Sequence, residues 1–329
     1  MLVERRELGV IDTLQAGFNT VMKHAWVISI PALLDLYFWL GPKLSMAPLA
    51  ERLAQFLAPM PDAGASYQEQ LAQMQELLRS LGESYNLFSL LSQPLLRVPS
   101  LMGGYELHAS FIEGEVPIIT LEGSSALLGA ALPLMLMGVL FGCVYLDLIA
   151  GGIREEKAPL SARRVLIYWL RVISLGLLFV GLIAIFGMLS GVSVFIANAL
   201  SPALGFILSL LWLSAGWLGA GCSFFAFFVI EAIILSEVGV LRALWNSANV
   251  VRRNLWSSLG LFLLTTLIGG GLPLLWRRLS GNPLGAILSI MGNSYIGSGL
   301  AAASLIFYRD RYRAWQQGLL ERGKEANKP

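Results

Sequence analysis

The chain has 329 residues, of which 56% are hydrophobic and only 13% are charged, and its mean hydropathy is +0.68. Soluble domains are about a quarter charged, so this composition excludes an ordinary soluble protein and predicts an integral membrane protein. The net charge of +2 favours no class of partner. Cys143 and Cys222 lie inside apolar runs, which predicts small core residues and gives no support to a disulfide framework.

The segment 1–42 predicts an amphipathic helix that leads into a first span. Its apolar residues recur at helical spacing on one face, and Asp12, Gln15, Asn19 and Lys23 take the other. Such a helix either lies in the headgroup plane of a membrane or packs on other protein. The apolar run at 26–41 is short against the ~20 residues of a span, and we interpret it as an uncleaved signal anchor. The apolar face comprises Val10, Ile11, Leu14, Phe18, Val21, Met22 and Ala25.

The segment 43–124 is the one long part of the chain without an apolar run of spanning length. It carries nine acidic and four basic residues, and prolines punctuate it. A stripe of apolar residues at helical spacing runs through 67–91, which predicts amphipathic helices. We expect two or three helices that form an extracytoplasmic cap packed against the spans.

Five further apolar runs form the predicted bundle at 125–308, interrupted by an amphipathic helix at 238–255. Two of the runs exceed the length that the hydrocarbon requires, so they tilt or continue as helix beyond the bilayer. Residues 309–329 form a basic tail that we expect to fray. The sequence therefore predicts an all-α polytopic membrane protein with about six transmembrane helices. The runs lie at 125–149, 165–200, 203–235, 256–276 and 284–308.

Lysine and arginine predict the orientation, because cytosolic loops of membrane proteins are enriched in both. With six spans, the segments on the side of the two termini carry sixteen such residues and the opposite segments carry six. This predicts a multi-pass protein of the plasma (inner) membrane with both termini in the cytoplasm. Arg277 and Arg278 lie on the poorer side. Either they line the outer headgroups beside Trp276, or the last two runs form a hairpin that does not fully cross.

The sequence contains an internal repeat, because an offset of 230 residues aligns 8–34 with 238–264 without a gap. Each copy is an amphipathic helix that runs directly into an apolar run. We expect both helices to lie along the cytosolic membrane face in equivalent places. This predicts that Phe18 and Ala248 face the bilayer or the bundle, and that Asn19 and Asn249 face water.

The second copy ends in Arg-Asn-Leu-Trp (Arg253 to Trp256) before its span. This pattern resembles bacterial integral membrane proteins related to the membrane domain of some glycerophosphodiester phosphodiesterases. The resemblance is best over 236–268 and next best over 8–40, with a degenerate third copy at 159–182. It implies a helix–span repeat, and it carries over no catalytic residue. The metal-binding carboxylates and paired histidines of the phosphodiesterase domain have no counterpart in this sequence.

Four ionisable residues inside the apolar runs form a candidate intramembrane polar site: Asp35, Asp147, Arg171 and Glu231. A charge in hydrocarbon is costly and usually faces the bundle interior. The last three share a depth near cytosolic helix ends. They either orient helices as interfacial charges or form a pocket for a cationic, zwitterionic or lipid headgroup.

Asp35 is predicted near mid-bilayer, and the repeat places Thr265 opposite it. It either ties the first span to a serine or threonine of a neighbouring span, or lines a polar cavity between the repeats. A cation or a proton would bind in that cavity.

Small residues recur at fourth positions in four runs, a spacing that allows helices to pack closely in lipid. Together these pairs predict a compact bundle. The pairs are Gly138 with Gly142, Gly187 with Gly191, Ala215 with Gly219, and Gly297 with Ala301.

No catalytic motif is present in this sequence, and it predicts no cofactor or metal site. Aromatic and basic residues at 309–315 are typical of a membrane edge and not of a nucleic-acid-binding patch. We therefore expect an accessory or structural membrane protein that binds membrane lipids or a membrane protein partner. The alternative is a permease-like carrier with a polar site between its repeats, and an unrecognised enzyme remains a third hypothesis.

Overall fold

The structure, a computed structural model, describes residues 8–57, 65–92, 94–103, 117–154 and 161–326. These residues are almost entirely α-helical, and two short parallel strands, β1 (Lys43–Ser45) and β2 (Ile118–Thr120), form the one sheet among them. The helices are α1 (Val10–Lys23), α2 (Ser29–Leu40), α3 (Ala47–Phe56), α4 (Ala65–Ser84), α5 (Ser124–Arg154), α6 (Ala162–Leu200), α7 (Pro202–Ser223), α8 (Val229–Leu235), α9 (Val240–Arg253), α10 (Leu255–Leu279) and α11 (Pro283–Ala326).

Five helical segments of the described chain are long and apolar enough to cross a membrane. They are α5, α6, the stretch from the start of α7 to the end of α8, α10 and α11. A sixth candidate combines α1 with the following helix (Ala25–Leu40), and it is bent by 93°. The predicted fold class is confirmed: the chain is an all-α, multi-pass membrane protein.

The chain divides into two compact units, and each is discontinuous in sequence. Unit 1 comprises Met1–Thr13, Lys157–Phe262 and Ala303–Pro329, and unit 2 comprises Leu14–Glu156 and Leu263–Ala302. Neither unit coincides with one linear segment of the chain.

Two glycines of α5 allow the predicted cap segment to pack on a span in unit 2. A Cβ atom at Gly138 would overlap the carbonyl oxygen of Leu90, and one at Gly142 would overlap the side chain of Leu96. Leu90 and Leu96 belong to the short 3-10 turns that follow α4. The close spacing of these glycines therefore serves loop-to-helix packing, where the sequence predicted packing between helices.

Three glycines of the other small-residue pairs face open space. A Cβ atom at Gly187, Gly191 or Gly219 would meet nothing within 4 Å. At Gly297, by contrast, a Cβ atom would overlap the ring of Pro99. The spacing alone did not distinguish the packed pairs from the open ones.

Helices α3 and α4 form an antiparallel pair with one polar edge. The Nε atom of Arg79 lies 2.8 Å from the Glu51 carboxylate, and the side chain of Gln55 donates to the same group. These two donors hold the pKa of Glu51 below its usual range. The apolar side chains of the pair remain exposed: Phe56 is 85% exposed and Leu77 is 54% exposed.

In unit 1 the predicted run 203–235 is broken near its end. A 3-10 turn (Phe224–Ala226) separates α7 from α8. Ser247 of α9 satisfies the backbone at this break, because its hydroxyl accepts from the Phe228 N–H (3.0 Å) and donates to the Phe225 carbonyl (2.7 Å). Freed backbone groups in an apolar environment need such partners. Ser247 is fully buried.

Helix α11 extends beyond the last predicted apolar run. Residues 309–326 of the predicted basic tail continue the helix without a break to Ala326. Aromatic residues at helical spacing support the continuation, since the Tyr308 and Tyr312 rings stack at 5.4 Å and the Tyr312 and Trp315 rings lie 5.7 Å apart. Residues 327–329 lie outside the described chain.

The two copies of the repeat adopt the same local structure. The bounds of α1 and α9 correspond residue for residue under the offset of 230. One non-helical residue follows each helix, with nearly the same backbone angles. His24 has φ −126° and ψ 47°, and Asn254 has φ −129° and ψ 41°.

Burial in the two copies also corresponds, with one clear exception. Ile11 and its equivalent Leu241 are 75% and 76% exposed. Asn19 is exposed as predicted, but its equivalent Asn249 is buried and donates to the Trp245 carbonyl at 2.8 Å. The prediction that Asn249 faces water is therefore wrong. An Asn can satisfy its amide on its own helix, so its polarity did not determine which way it points.

Cysteine labelling will decide whether the bent pair makes a sixth span. Cysteines introduced at Asn19, Gln70 and Gln317, in a protein lacking Cys143 and Cys222, are tested with an impermeant maleimide in right-side-out and inverted vesicles. With six spans, the sites at Asn19 and Gln317 react from one side and the site at Gln70 from the other. Reaction of the sites at Asn19 and Gln70 from the same side would leave five spans.

Candidate functional site

Asp35 is the most completely enclosed of the four candidate site residues. Its carboxylate is 0% exposed and accepts three hydrogen bonds from one short segment of unit 2. The donors are the Ser100 hydroxyl at 2.5 Å, the Leu101 N–H at 2.8 Å and the Met102 N–H at 3.1 Å. The Ser100 oxygen in turn accepts from the Gly103 N–H at 2.9 Å. Asp35 thus holds the turn at residues 100–103.

An apolar cluster surrounds the residues of this turn. Leu101 and Met102 are buried together with Phe38 of α2 and Ile290 of α11. A carboxylate accepts hydrogen bonds only, and three donors of the chain itself already occupy this one. The geometry favours the tether over the polar cavity. The partner, however, is Ser100 of the segment predicted as a cap, where the sequence predicted a serine or threonine of another span.

Thr265 occupies the position equivalent to Asp35 in the second copy of the repeat. It is also buried, at 8% exposure. Both copies therefore bury a polar side chain at the same distance in sequence after the non-helical residue, which is His24 in the first copy and Asn254 in the second.

Glu231 lies in unit 1, on the short helix α8, and is 1% exposed. The Ser304 hydroxyl of α11 donates to its Oε1 atom at 2.5 Å. Two further polar contacts involve α8 or the residue that follows it. The Tyr308 hydroxyl lies 3.0 Å from the Ser236 hydroxyl. The Tyr168 hydroxyl donates to the Ile234 carbonyl at 2.9 Å. These contacts join α8 to α6 and α11.

Arg171 and Asp147 lie in different units. Arg171 of α6 belongs to unit 1 and is half-buried, and its Nη1 atom has no hydrogen-bond partner among the described residues. Asp147 of α5 belongs to unit 2 and is 1% exposed. Glu231 belongs to unit 1, like Arg171, and accepts a hydrogen bond from Ser304.

A second candidate surface lies on α9, and we call it the α9 outer face. It consists of Leu241, Trp245, Ala248 and Arg252, which share one side of the helix at i, i+4, i+7 and i+11. Leu241 is 76% exposed and Trp245 is 67% exposed, and Arg252 is exposed beside them. The opposite side of α9 is buried, including Ala243 at 0% exposure. An apolar and basic side of this helix therefore points away from unit 1.

Two exposed arginines flank the α9 outer face. Arg242 is exposed near the start of the helix and Arg253 at its end. The Arg253 guanidinium lies 5.6 Å from the ring centroid of Trp315, which fixes its direction. Helix α9 contains no acidic residue, so every charged side chain on its outer side is basic.

Sequence reasoning did not single out Ser100, Ser247 and Ser304, although each satisfies a buried polar group. A lone serine in or near an apolar run has no recognisable pattern, so no motif could have found them. Among the described residues, no group of three or more His, Cys, Asp or Glu is placed to hold a metal ion.

No family model, curated protein or solved structure matches this chain. The site must therefore be interpreted from its own geometry.

Proposed function

We propose that this protein is an accessory, non-catalytic membrane protein that binds membrane lipid along its interfacial helices. The observation that supports this most is the α9 outer face. Leu241 and Trp245 are too exposed to stabilise the fold of unit 1, and their exposure to water would be unfavourable. A membrane interface removes that cost.

The chemistry of the α9 outer face suits the boundary between headgroups and acyl chains. Tryptophan has an apolar ring and a polar N–H, so it is enriched at this level of the bilayer. Arg242, Arg252 and Arg253 supply positive charge beside it, and anionic lipids attract such charge. Amphipathic helices with both features lie in the plane of the interface.

Helix α1 presents a related but less basic surface. Ile11 and Met22 are 75% and 65% exposed on the equivalent side, and Gln15 is exposed between them. Lys23 is the basic residue of this helix. The likeness of the repeat to the membrane domain of glycerophosphodiester phosphodiesterases is part of the same proposal, since it implies a membrane-associated role without a catalytic residue.

Asp35 is the acidic residue on which the carrier hypothesis most depends, and it is already hydrogen-bonded within the protein. A mid-membrane cation or proton site needs a carboxylate that faces a cavity, but the three donors at Ser100, Leu101 and Met102 occupy Asp35. We therefore do not propose transport.

The depth of α9 in a membrane tests the proposal. A nitroxide is attached to a cysteine at Trp245 in full-length protein lacking Cys143 and Cys222, reconstituted in vesicles containing phosphatidylglycerol. We expect its collisions with oxygen to exceed those with a water-soluble nickel chelate. The same measurement at Met22 should agree, because Met22 is 65% exposed on the side of α1 that corresponds to the α9 outer face.

Gln73 supplies the matched control, since it is an exposed polar residue of α4. A nitroxide there should collide more often with the nickel chelate. If the label at Trp245 matches the label at Gln73, α9 lies in water and the proposed function is wrong.

A further inference from the structure

A shallow groove of about 590 Å³ runs along the second half of α10, within unit 2. Its lining consists of one glycine, one arginine and otherwise leucine and isoleucine. Leu267, Gly271, Leu274 and Arg278 follow each other at i, i+4, i+7 and i+11, so they form one line along the helix. The groove is therefore apolar along its length, with a single cation at one end.

Gly271 forms the open floor of the groove. A Cβ atom built there would meet nothing within 4 Å. Glycine inside a helix is less favourable than alanine, and no neighbouring group of the described chain requires it here. The absent side chain leaves room for a ligand from outside.

Arg278 differs from its neighbour Arg277 in its surroundings. Arg277 is half-buried and engaged within the protein, whereas Arg278 is exposed. Among the described residues, Arg278 has neither a hydrogen-bond nor an ion-pair partner. Its guanidinium is thus available at the mouth of the groove.

The length of the groove matches one leaflet of a bilayer. From Leu267 to Arg278 the helix rises about 16 Å at ~1.5 Å per residue. Half of a hydrocarbon core of about 30 Å is about 15 Å. If Arg278 lies at the headgroups, where an arginine at a span end belongs, the groove ends near mid-bilayer.

We propose that this groove binds one glycerophospholipid with an anionic headgroup. An acyl chain lies along Leu267, Gly271 and Leu274, and the Arg278 guanidinium pairs with the phosphate. Guanidinium and phosphate form paired, charge-assisted hydrogen bonds. The inference rests on the proposed lipid-binding function but concerns a different helix from α9.

Native mass spectrometry of the full-length protein in detergent, titrated with dioleoylphosphatidylglycerol, tests the groove. We expect Arg278→Gln to weaken binding of the first lipid about five-fold, which corresponds to ~1 kcal/mol for a surface arginine. Gly271→Leu should abolish binding of this lipid by filling the floor. The melting temperature of the Gly271→Leu variant should not fall, because the new side chain enters open space.

Gly270→Leu is the matched control for the floor, because Gly270 also meets nothing within 4 Å but does not line the groove. Arg52→Gln is the control for charge, since Arg52 is exposed on α3. Both controls should retain the affinity of the unmodified protein.

Equal losses in Gly270→Leu and Gly271→Leu, or in Arg52→Gln and Arg278→Gln, would overturn the site. So would unchanged binding in both groove variants. Displacement of the lipid by inorganic phosphate alone would point to an anion site without an acyl chain and would also overturn it. Variants Arg242→Gln and Arg252→Gln on α9 should leave the first lipid in place, which separates this result from the test of the proposed function.

Discussion

Asp35→Ala is expected to destabilise the protein more than alanine at any other candidate site residue. The substitution leaves the Leu101 and Met102 N–H groups buried without an acceptor. Each stranded buried donor costs about 1–3 kcal/mol. Thermal unfolding of the purified protein in detergent, followed by circular dichroism, measures the loss.

Asp310→Ala is the matched control for this experiment. The Asp310 carboxylate lies 3.0 Å from the Arg309 Nε atom in a partly exposed ion pair. Pairs of this kind contribute about 0–1 kcal/mol. If Asp35→Ala lowers the melting temperature no more than Asp310→Ala does, Asp35 is not the tether of the turn at 100–103.

Asp35→Asn is expected to have a melting temperature between those of the unmodified protein and Asp35→Ala. This variant distinguishes a structural tether from a site that depends on the charge of Asp35. The partners of Asp35 are all hydrogen-bond donors, and the asparagine amide N–H₂ would oppose at least one of them. The tether therefore predicts a lower melting temperature for the variant. A cation or proton site would instead predict normal stability with loss of function.

Gly138→Ala is expected to destabilise the protein more than alanine at any other glycine of α5. Its Cβ atom would overlap the Leu90 carbonyl oxygen and lie 3.0 Å from the Leu91 Cα atom. Backbone atoms cannot rotate away as a flexible side chain does, so the 3-10 turn must move. Overpacking of this kind costs about 1–3 kcal/mol, measured by the same thermal unfolding.

Gly151→Ala on the same helix is the control, because its Cβ atom would meet nothing within 4 Å. Alanine favours helix over glycine by about 1 kcal/mol, so this variant should melt at the same or a higher temperature. Equal melting temperatures for the two variants would mean that the turn does not pack on α5 as the structure describes.

Local pattern was sufficient to predict most of the long helices of this chain. Apolar runs of spanning length predicted α5, α6, α10 and the apolar part of α11, because nothing but helix satisfies the backbone in hydrocarbon. The offset of 230 residues predicted that α1 and α9 are equivalent, and their bounds and the breaks at His24 and Asn254 agree. Helix bounds of this kind follow from residues near in sequence.

The break between α7 and α8 was not predictable, because its cause is a distant residue. The run at 203–235 is apolar throughout, and the groups freed at Phe225 and Phe228 find their partner in Ser247 of α9. The glycine pairs illustrate the same limit. Gly138 is closely packed and Gly187 is open, although both have a glycine four residues on.

Sequence by itself thus determined that this is an all-α membrane protein, and it identified Asp35 as an acid that needs a partner. Only the tertiary structure decided what that partner is, since Ser100 lies 65 residues away. The tertiary structure also decided that Asn249 faces inward and that Trp245 and Arg278 face outward. Periodicity determines which residues share a face of a helix, whereas long-range contacts determine where that face points.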